Sequence, residues 1–293
     1  MKETPVLLRK FCIAAVVLSL LPCSVFADHQ QTVERVFAEI RHGKLENSAS
    51  LVRLGEAAVP EIAKYAADSD VGVRGEALAV LQQIGGDAAC RAMEPSLNDS
   101  AADIRAKAIY AYFQRCDHSQ VPCEYLLPGV AKAQPSALAI AAAGFCAAAE
   151  EDATTLLTRM LKGNVFVRME AGSAPIVPRN LAASVGLRIA GQEAQEVRIR
   201  AALHSKASVA EPEFVLRVLA DLPDAMAKEA LPLLSDERPL PGSPAGGRRL
   251  QDAAVDAFIA RLHLRTAFEH GRPRRYLPEE IEQVRVAASA ALP

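Results

Sequence analysis

Leu51–Phe113 runs LVRLGEAAVPEIAKYAADSDVGVRGEALAVLQQIGGDAACRAMEPSLNDSAADIRAKAIYAYF and holds one pattern twice. Leu51-x-x-Leu54-Gly55-x-Ala57-Ala58 returns about 30 residues later as Leu81-x-x-Ile84-Gly85-Gly86-Asp87-Ala88-Ala89. Asp68-x4-Val73-Arg74 returns as Asp99-x4-Ile104-Arg105 at nearly the same offset. A period of this length belongs to stacked supersecondary units, each burying its apolar face against the next. The unit here is two amphipathic helices joined by a short turn. Asp68-Ser69-Asp70 breaks one helix and caps the next, predicted over Val71–Ile84, and Gly85-Gly86 ends it.

The rest of the chain agrees with helices. Hydrophobic residues make up 51% of the 293, yet aromatics are 5% and tryptophan is absent. A core filled by Ala, Leu, Val and Ile suits closely packed helices. No sustained apolar–polar alternation flanked by Asn-Gly or Asp-Gly marks a strand, so the expected class is all-α. A net charge of −2 gives no basic field for nucleic acid.

The first residues fall outside this pattern. Lys2, Arg9 and Lys10 precede an apolar run, Phe11–Leu21, and Val25-Phe26-Ala27 ends in small residues before Asp28. That is the layout of a secretory signal, residues 1–27, cleaved after Ala27. The run is short for a membrane span and Pro22 follows it, so no span is expected in the mature chain. Leu20-Leu21-Pro22-Cys23 has the outline of a lipoprotein signal, but Pro directly before the cysteine fits it poorly. The chain is therefore expected to be exported across the inner membrane, to the periplasm.

The twice-repeated pattern resembles the HEAT repeat, in the short form found in phycobilisome lyases and many bacterial binding proteins. The resemblance implies a right-handed α-solenoid of about seven antiparallel helix pairs over residues 28–293. Its [Val/Ile]-Arg marker recurs at Val167-Arg168, Val197-Arg198 and Val284-Arg285, and survives without the Arg at Leu138-Ala139-Ile140 and Met226-Ala227-Lys228. In such repeats the turn Asp and the marker Arg form a hydrogen-bonded ladder, a structural role implied here for Asp68, Arg74, Asp99 and Arg105. Lys162 and Gln192 stand where the partner Asp of Arg168 and Arg198 would be, which makes those two arginines better candidates to face a ligand. The concave surface is expected to display Glu76, Lys107, Glu170, Arg200, Lys228 and Glu229. A Pro-containing interruption at 173–179 and a Pro- and Gly-rich one near 237–249 are expected as loops, the second mobile.

Cys90, Cys116, Cys123 and Cys146 remain after the signal, an even set that suggests disulfides in an exported chain. Placed on the implied repeat, Cys90 and Cys123 fall near the start of a first helix, and Cys116 and Cys146 near the end of a second. Cys90–Cys116 and Cys123–Cys146 would then each staple one repeat. Cys116–Cys123, closing the loop through His118 and Pro122, is the rival, and a zinc site of Cys116, His118 and Cys123 a third arrangement lacking the tight spacing of zinc motifs.

No motif declares a reaction. The six His residues are scattered with no His-Glu dipeptide, and no G-x-S-x-G, phosphate loop or HExxH occurs. No catalytic residue, metal or cofactor is expected. The leading expectation is an exported scaffold or adaptor that binds a protein partner on the concave face. Two other readings stand beside it: a lyase-like, chromophore-binding enzyme, and an envelope glycan- or lipid-binding module. The latter would use the arginine-rich C-terminal group of Arg248, Arg249, Arg261, Arg265, Arg272, Arg274 and Arg275.

Overall fold

The computed structural model describes residues 29–44, 48–170, 175–241, 247–270 and 274–292. The expected signal segment lies outside them, as do Arg272 and the middle of the loop near 237–249. The described chain is mostly helical, and no helix in it is long and apolar enough to cross a membrane. It divides into two compact units: Met1–Glu94 with Gln114–Cys116, and Pro95–Phe113 with Asp117–Pro293.

In the first unit, helix α1 covers residues 29–41. It is followed by α2 (Ser48–Leu54), α3 (Val59–Tyr65), α4 (Val71–Ile84) and α5 (Gly86–Met93). Helices α2 and α3 both pack on α4, and α5 packs on α3 and α4. Helix α4 spans the residues read from the sequence because its ends carry their own stop signals. The Asp70 carboxylate accepts from Gly72 N at 2.7 Å and Val73 N at 3.2 Å, and Gly85 takes φ 68°, a conformation open to glycine. Val73, Ala77, Leu78 and Leu81 are buried along α4, as are Leu51 on α2 and Ile62 on α3. Removing each large apolar side chain from water contributes about 1.5–3 kcal/mol.

In the second unit the order is α6 (Ala102–Arg115, its last two residues grouping with the first unit), α7 (Cys123–Ala131), α8 (Ala137–Ala147) and α9 (Glu151–Met160). Then come strands β1 (Phe166–Arg168) and β2 (Ile176–Pro178), α10 (Arg179–Ile189), α11 (Glu196–Leu203), α12 (Ala210–Arg217), α13 (Asp224–Ala230), α14 (Leu250–Leu262) and α15 (Pro278–Ala291). Helix α8, sequence ALAIAAAGFCA, is apolar all round and buried on nearly every side, as such a helix must be. It packs against α7, α9 and α10. At the α8–α10 crossing a Cβ on Gly144 would lie 2.1 Å from Gly186 O, so only glycine lets the two backbones approach this closely.

The hairpin was not legible in the sequence. β1 and β2 pair antiparallel with Val167 opposite Val177, and both of these are buried. Three-residue strands are too short to show alternation, and Pro178 leaves α10 to begin at Arg179. The marker pair Val167-Arg168, expected on a helix, therefore stands on a strand. The ends of the second interruption are tied together: Pro239 and Arg249 form an isolated bridge, and Leu240 N donates to Arg248 O at 3.0 Å.

The cysteines pair as Cys90–Cys116 and Cys123–Cys146, each bond lying within one unit. Cys116 and Cys123 are thus held as disulfide sulfurs and do not form the zinc site weighed above. Among the described residues no group of three or more His, Cys, Asp or Glu could hold a metal ion.

Candidate functional site

The turn Asp and marker Arg make the same bonds in both copies of the repeat. Arg74 Nη1 donates to Asp68 O at 2.8 Å and Ser69 O at 3.1 Å; Arg105 Nη1 donates to Asp99 O at 2.9 Å and Ser100 O at 3.0 Å. The carboxylates meanwhile hold the turn, Asp68 Oδ1 accepting from Asp70 N and Asp99 Oδ1 from Ala101 N. That backbone N–H is the chief reason Asp68 is held below the ordinary carboxylate pKa. Arg105 also donates through Nη2 to Ala133 O, beyond α7. Both arginines are buried, and a buried guanidinium needs such acceptors.

The expected surface residues fall into separate places. Glu76 stands half-buried on α4 in the first unit. In the second unit Lys107 and Lys228 are exposed on α6 and α13. Arg200 and Glu229 come together on α11 and α13: Arg200 Nη2 donates to Glu196 at 3.2 Å, its Nε lies 3.8 Å from Glu229, and Glu229 meets His204 at 3.1 Å. Arg198 reaches Asn180 O and Ser184 Oγ, each at 3.4 Å. Arg168, exposed on β1, lies 3.7 Å from Asp103. The Arg200, Glu229 and Arg168 contacts are solvated pairs, which contribute little to stability.

Glu170 is placed differently. It follows β1, and its carboxylate accepts from Arg217 Nη1 at 3.0 Å. Arg217 Nη2 donates to Glu213 Oε1 at 2.8 Å, one helical turn back on α12. One guanidinium is therefore shared by two carboxylates, and it also lies 6.0 Å from the centre of the Tyr110 ring on α6. The Glu170 side chain is 24% exposed, that of Arg217 26% and that of Glu213 6%. Among the described residues Glu213 Oε2 has no hydrogen-bond partner.

Helix α14 packs on α12 and continues the row of charges. Arg248 bonds Asp256, and the Tyr276 hydroxyl donates to the other oxygen of Asp256. Asp252, fully buried at the third position of α14, accepts from Arg249 N at 2.7 Å and from Tyr276 N at 3.0 Å, and its charge is matched by the Arg249 guanidinium. Arg248 is near enough to Tyr110 to act on its hydroxyl electrostatically, which joins the two groups.

Burial raises the pKa of Glu170, and Arg217 only partly offsets it while Glu213 adds to it. Burial likewise raises Asp256 against the opposing pull of Tyr276 and Arg248, and raises Tyr110 with help from Glu170. Charges held where water is scarce attract or repel a ligand more strongly than exposed ones. Carboxylates and a tyrosine with raised proton affinity in one half-buried row mark a candidate site. A groove of about 540 Å³ near α7 and α9, with Leu127 and Leu156 among its lining, is weaker: its rim charges Glu124, Glu150, Asp152 and Arg159 all stand in open solvent.

Of this row, Glu170 is among the residues expected on the concave face, and Arg248 and Arg249 belong to the arginine-rich C-terminal group. The spacings Glu213–Arg217 and Asp252–Asp256 put each pair on one helix face, but nothing in the sequence joins them to Tyr110 and Tyr276. The arginine-rich C-terminal group is largely engaged within the chain. Besides Arg248 and Arg249, Arg261 donates to Leu219 O, Leu222 O and Asp224, and Arg274 to Glu280, with its guanidinium 4.3 Å from the Tyr276 ring centre.

His118 lies between the two disulfide-bonded cysteines of its loop. Its Nδ1 meets both Asp221 carboxylate oxygens at 3.0 Å, its Nε2 meets Phe113 O at 2.8 Å, and its ring stacks on Phe113 at 4.1 Å. Burial opposes its charged form, but the carboxylate and the carbonyl outweigh it and raise the pKa.

Comparison of the chain with protein-family models, with curated proteins and with solved structures finds no match.

Proposed function

We propose that the chain is an exported adaptor that binds a protein partner, and that the row from Tyr110 through Glu170 and Arg217 to Asp256 lies on the binding surface. The observation that carries this is the row itself: half-buried charges drawn from the hairpin, α12 and α14, beside Tyr110 of α6, where apolar packing would cost less. Binding rather than chemistry is favoured because the row contains no serine, cysteine or histidine to serve as a nucleophile–base pair.

The architecture proposed with it is a right-handed α-solenoid of about seven antiparallel helix pairs of HEAT type. Its support is the identical set of Asp-turn and Arg bonds at Arg74 and Arg105. Further support comes from arginines that bond backbone carbonyls of short 3-10 helices elsewhere, Arg261 to Leu219 and Arg285 to Leu234. Two disulfides and no membrane-crossing helix among the described residues are compatible with export to an oxidising compartment.

The experiment is site-specific photo-cross-linking in the native envelope. A photo-reactive residue replaces Lys107, which is exposed one turn before Tyr110 on α6, and a control replaces Glu124 on α7. A discrete protein adduct at 107 and none at 124 is expected. An adduct at 124 alone would move the surface to α7, and none at either position would overturn the adaptor reading.

A further inference from the structure

We infer that the Glu170 end of the row is a receptor for one basic side chain, a lysine ammonium or an arginine guanidinium, presented by the partner. The inference rests on the adaptor reading and specifies what the partner must carry.

Glu170, Glu213 and Asp256 face only Arg217 and Arg248, since Asp252 is matched by Arg249. The row is therefore one positive charge short. The shortfall lies at the α12 end, where Arg217 is divided between two carboxylates, whereas Asp256 is the one carboxylate that Arg248 meets, its other bond going to the Asp252 carbonyl. Buried carboxylates ordinarily collect several donors each. Glu170 has one, through Oε2 to Arg217 Nη1, and its other oxygen has no partner among the described residues. Glu213 likewise has one, through Oε1, and its Oε2 is buried without any.

Access decides which of the two meets a ligand. The Glu213 side chain is 6% exposed and closed to a partner, whereas Glu170 is 24% exposed and open to one. A cation that approaches the free Glu170 oxygen meets a carboxylate that Arg217 only half neutralises. An anionic group meets the reverse: the Arg217 guanidinium is already bridged on both sides, and Glu170 and Glu213 repel the newcomer.

The test titrates the ¹⁵N-labelled full chain with N-acetyl-lysine methylamide and, in parallel, with the norleucine analogue, which keeps the aliphatic stem and lacks the charge. Saturable amide shifts at Tyr110, Glu170 and Arg217 are expected with the lysine probe, and affinity weaker by about tenfold or more with the norleucine probe. Glu170→Gln, which keeps shape and removes charge, should lower lysine affinity by a similar factor. Glu193→Gln, at an exposed carboxylate ahead of α11, should leave it unchanged. Equal responses to both probes, or lysine affinity unaltered in Glu170→Gln, would overturn the inference. The adaptor reading is scored separately by the photo-cross-link at position 107. An adduct there with no charge-selective lysine binding sinks this inference and spares that reading.

Discussion

Arg105 gathers three carbonyl oxygens, Asp99, Ser100 and Ala133, from a position that is 6% exposed. Its replacement strands those acceptors, so Arg105→Ala should lower stability by about 1–3 kcal/mol in chemical denaturation. An unchanged midpoint would contradict the role. His118 gives a second residue-scale expectation, with its sign set by the direction of its shift. Its folded pKa lies above the ordinary 6.5, so the stabilisation is fully present below that value and is lost as pH rises through the folded pKa. Asp221→Asn should therefore destabilise by about 1–3 kcal/mol on the acid side of 6.5. The difference from the wild type should shrink on the alkaline side. A gap in melting temperature that is flat or widens with pH would refute the pairing.

At the scale of elements, the α8–α10 crossing and the disulfides each set one distance. A methyl group on Gly144 would meet Gly186 O at 2.1 Å, backbone that cannot swing aside, whereas one on Gly186 meets its nearest atom at 3.0 Å. Gly144→Ala should thus cost about 2–4 kcal/mol and more than Gly186→Ala, as measured by urea melts. Reversal of that order would show that the helices can part. The disulfides close segments with sequence separations of 26 and 23. Loops of this length stabilise by about 3 kcal/mol in the chain-entropy account. Replacing either pair by serine should lower the melting temperature, and reductant should then affect only the remaining bond. The twice-repeated pattern and the caps of α4 were legible in the sequence because each is specified within a few turns of helix. The hairpin was not, since Phe166–Arg168 copies the apolar marker that elsewhere sits on a helix, and only its pairing with Ile176–Pro178 makes it a strand.

For the whole molecule, the adaptor proposal ties oxidation, export and binding together. Protein isolated from the envelope without reductant and then denatured should show no free thiol, because all four cysteines beyond the expected signal are paired. Four free thiols would remove the argument for an oxidising compartment. The proposed surface gathers residues from Tyr110 to Tyr276 inside one compact unit. Its function should therefore fail when that unit is loosened, as well as when Glu170 is changed. Cys123→Ser/Cys146→Ser, which opens a bond within that unit, is expected to weaken the cross-link at position 107, while Cys90→Ser/Cys116→Ser, in the other unit, tests whether the two units act separately.

The sequence by itself determined the helical class, the helix ends at Asp70 and Gly85, and the cysteines available for pairing. These depend on side chains acting on their own backbone neighbours or on an apolar period a few residues long. Tertiary structure decided that Arg74 and Arg105 spend their charge on carbonyl oxygens, that Val167 joins a strand, and that Glu170 shares Arg217 with Glu213 beside Tyr110. Electrostatic partners are chosen by distance in space and by exclusion of water. Neither is encoded at any fixed spacing along the chain, so the row of charges exists only once the helices have packed.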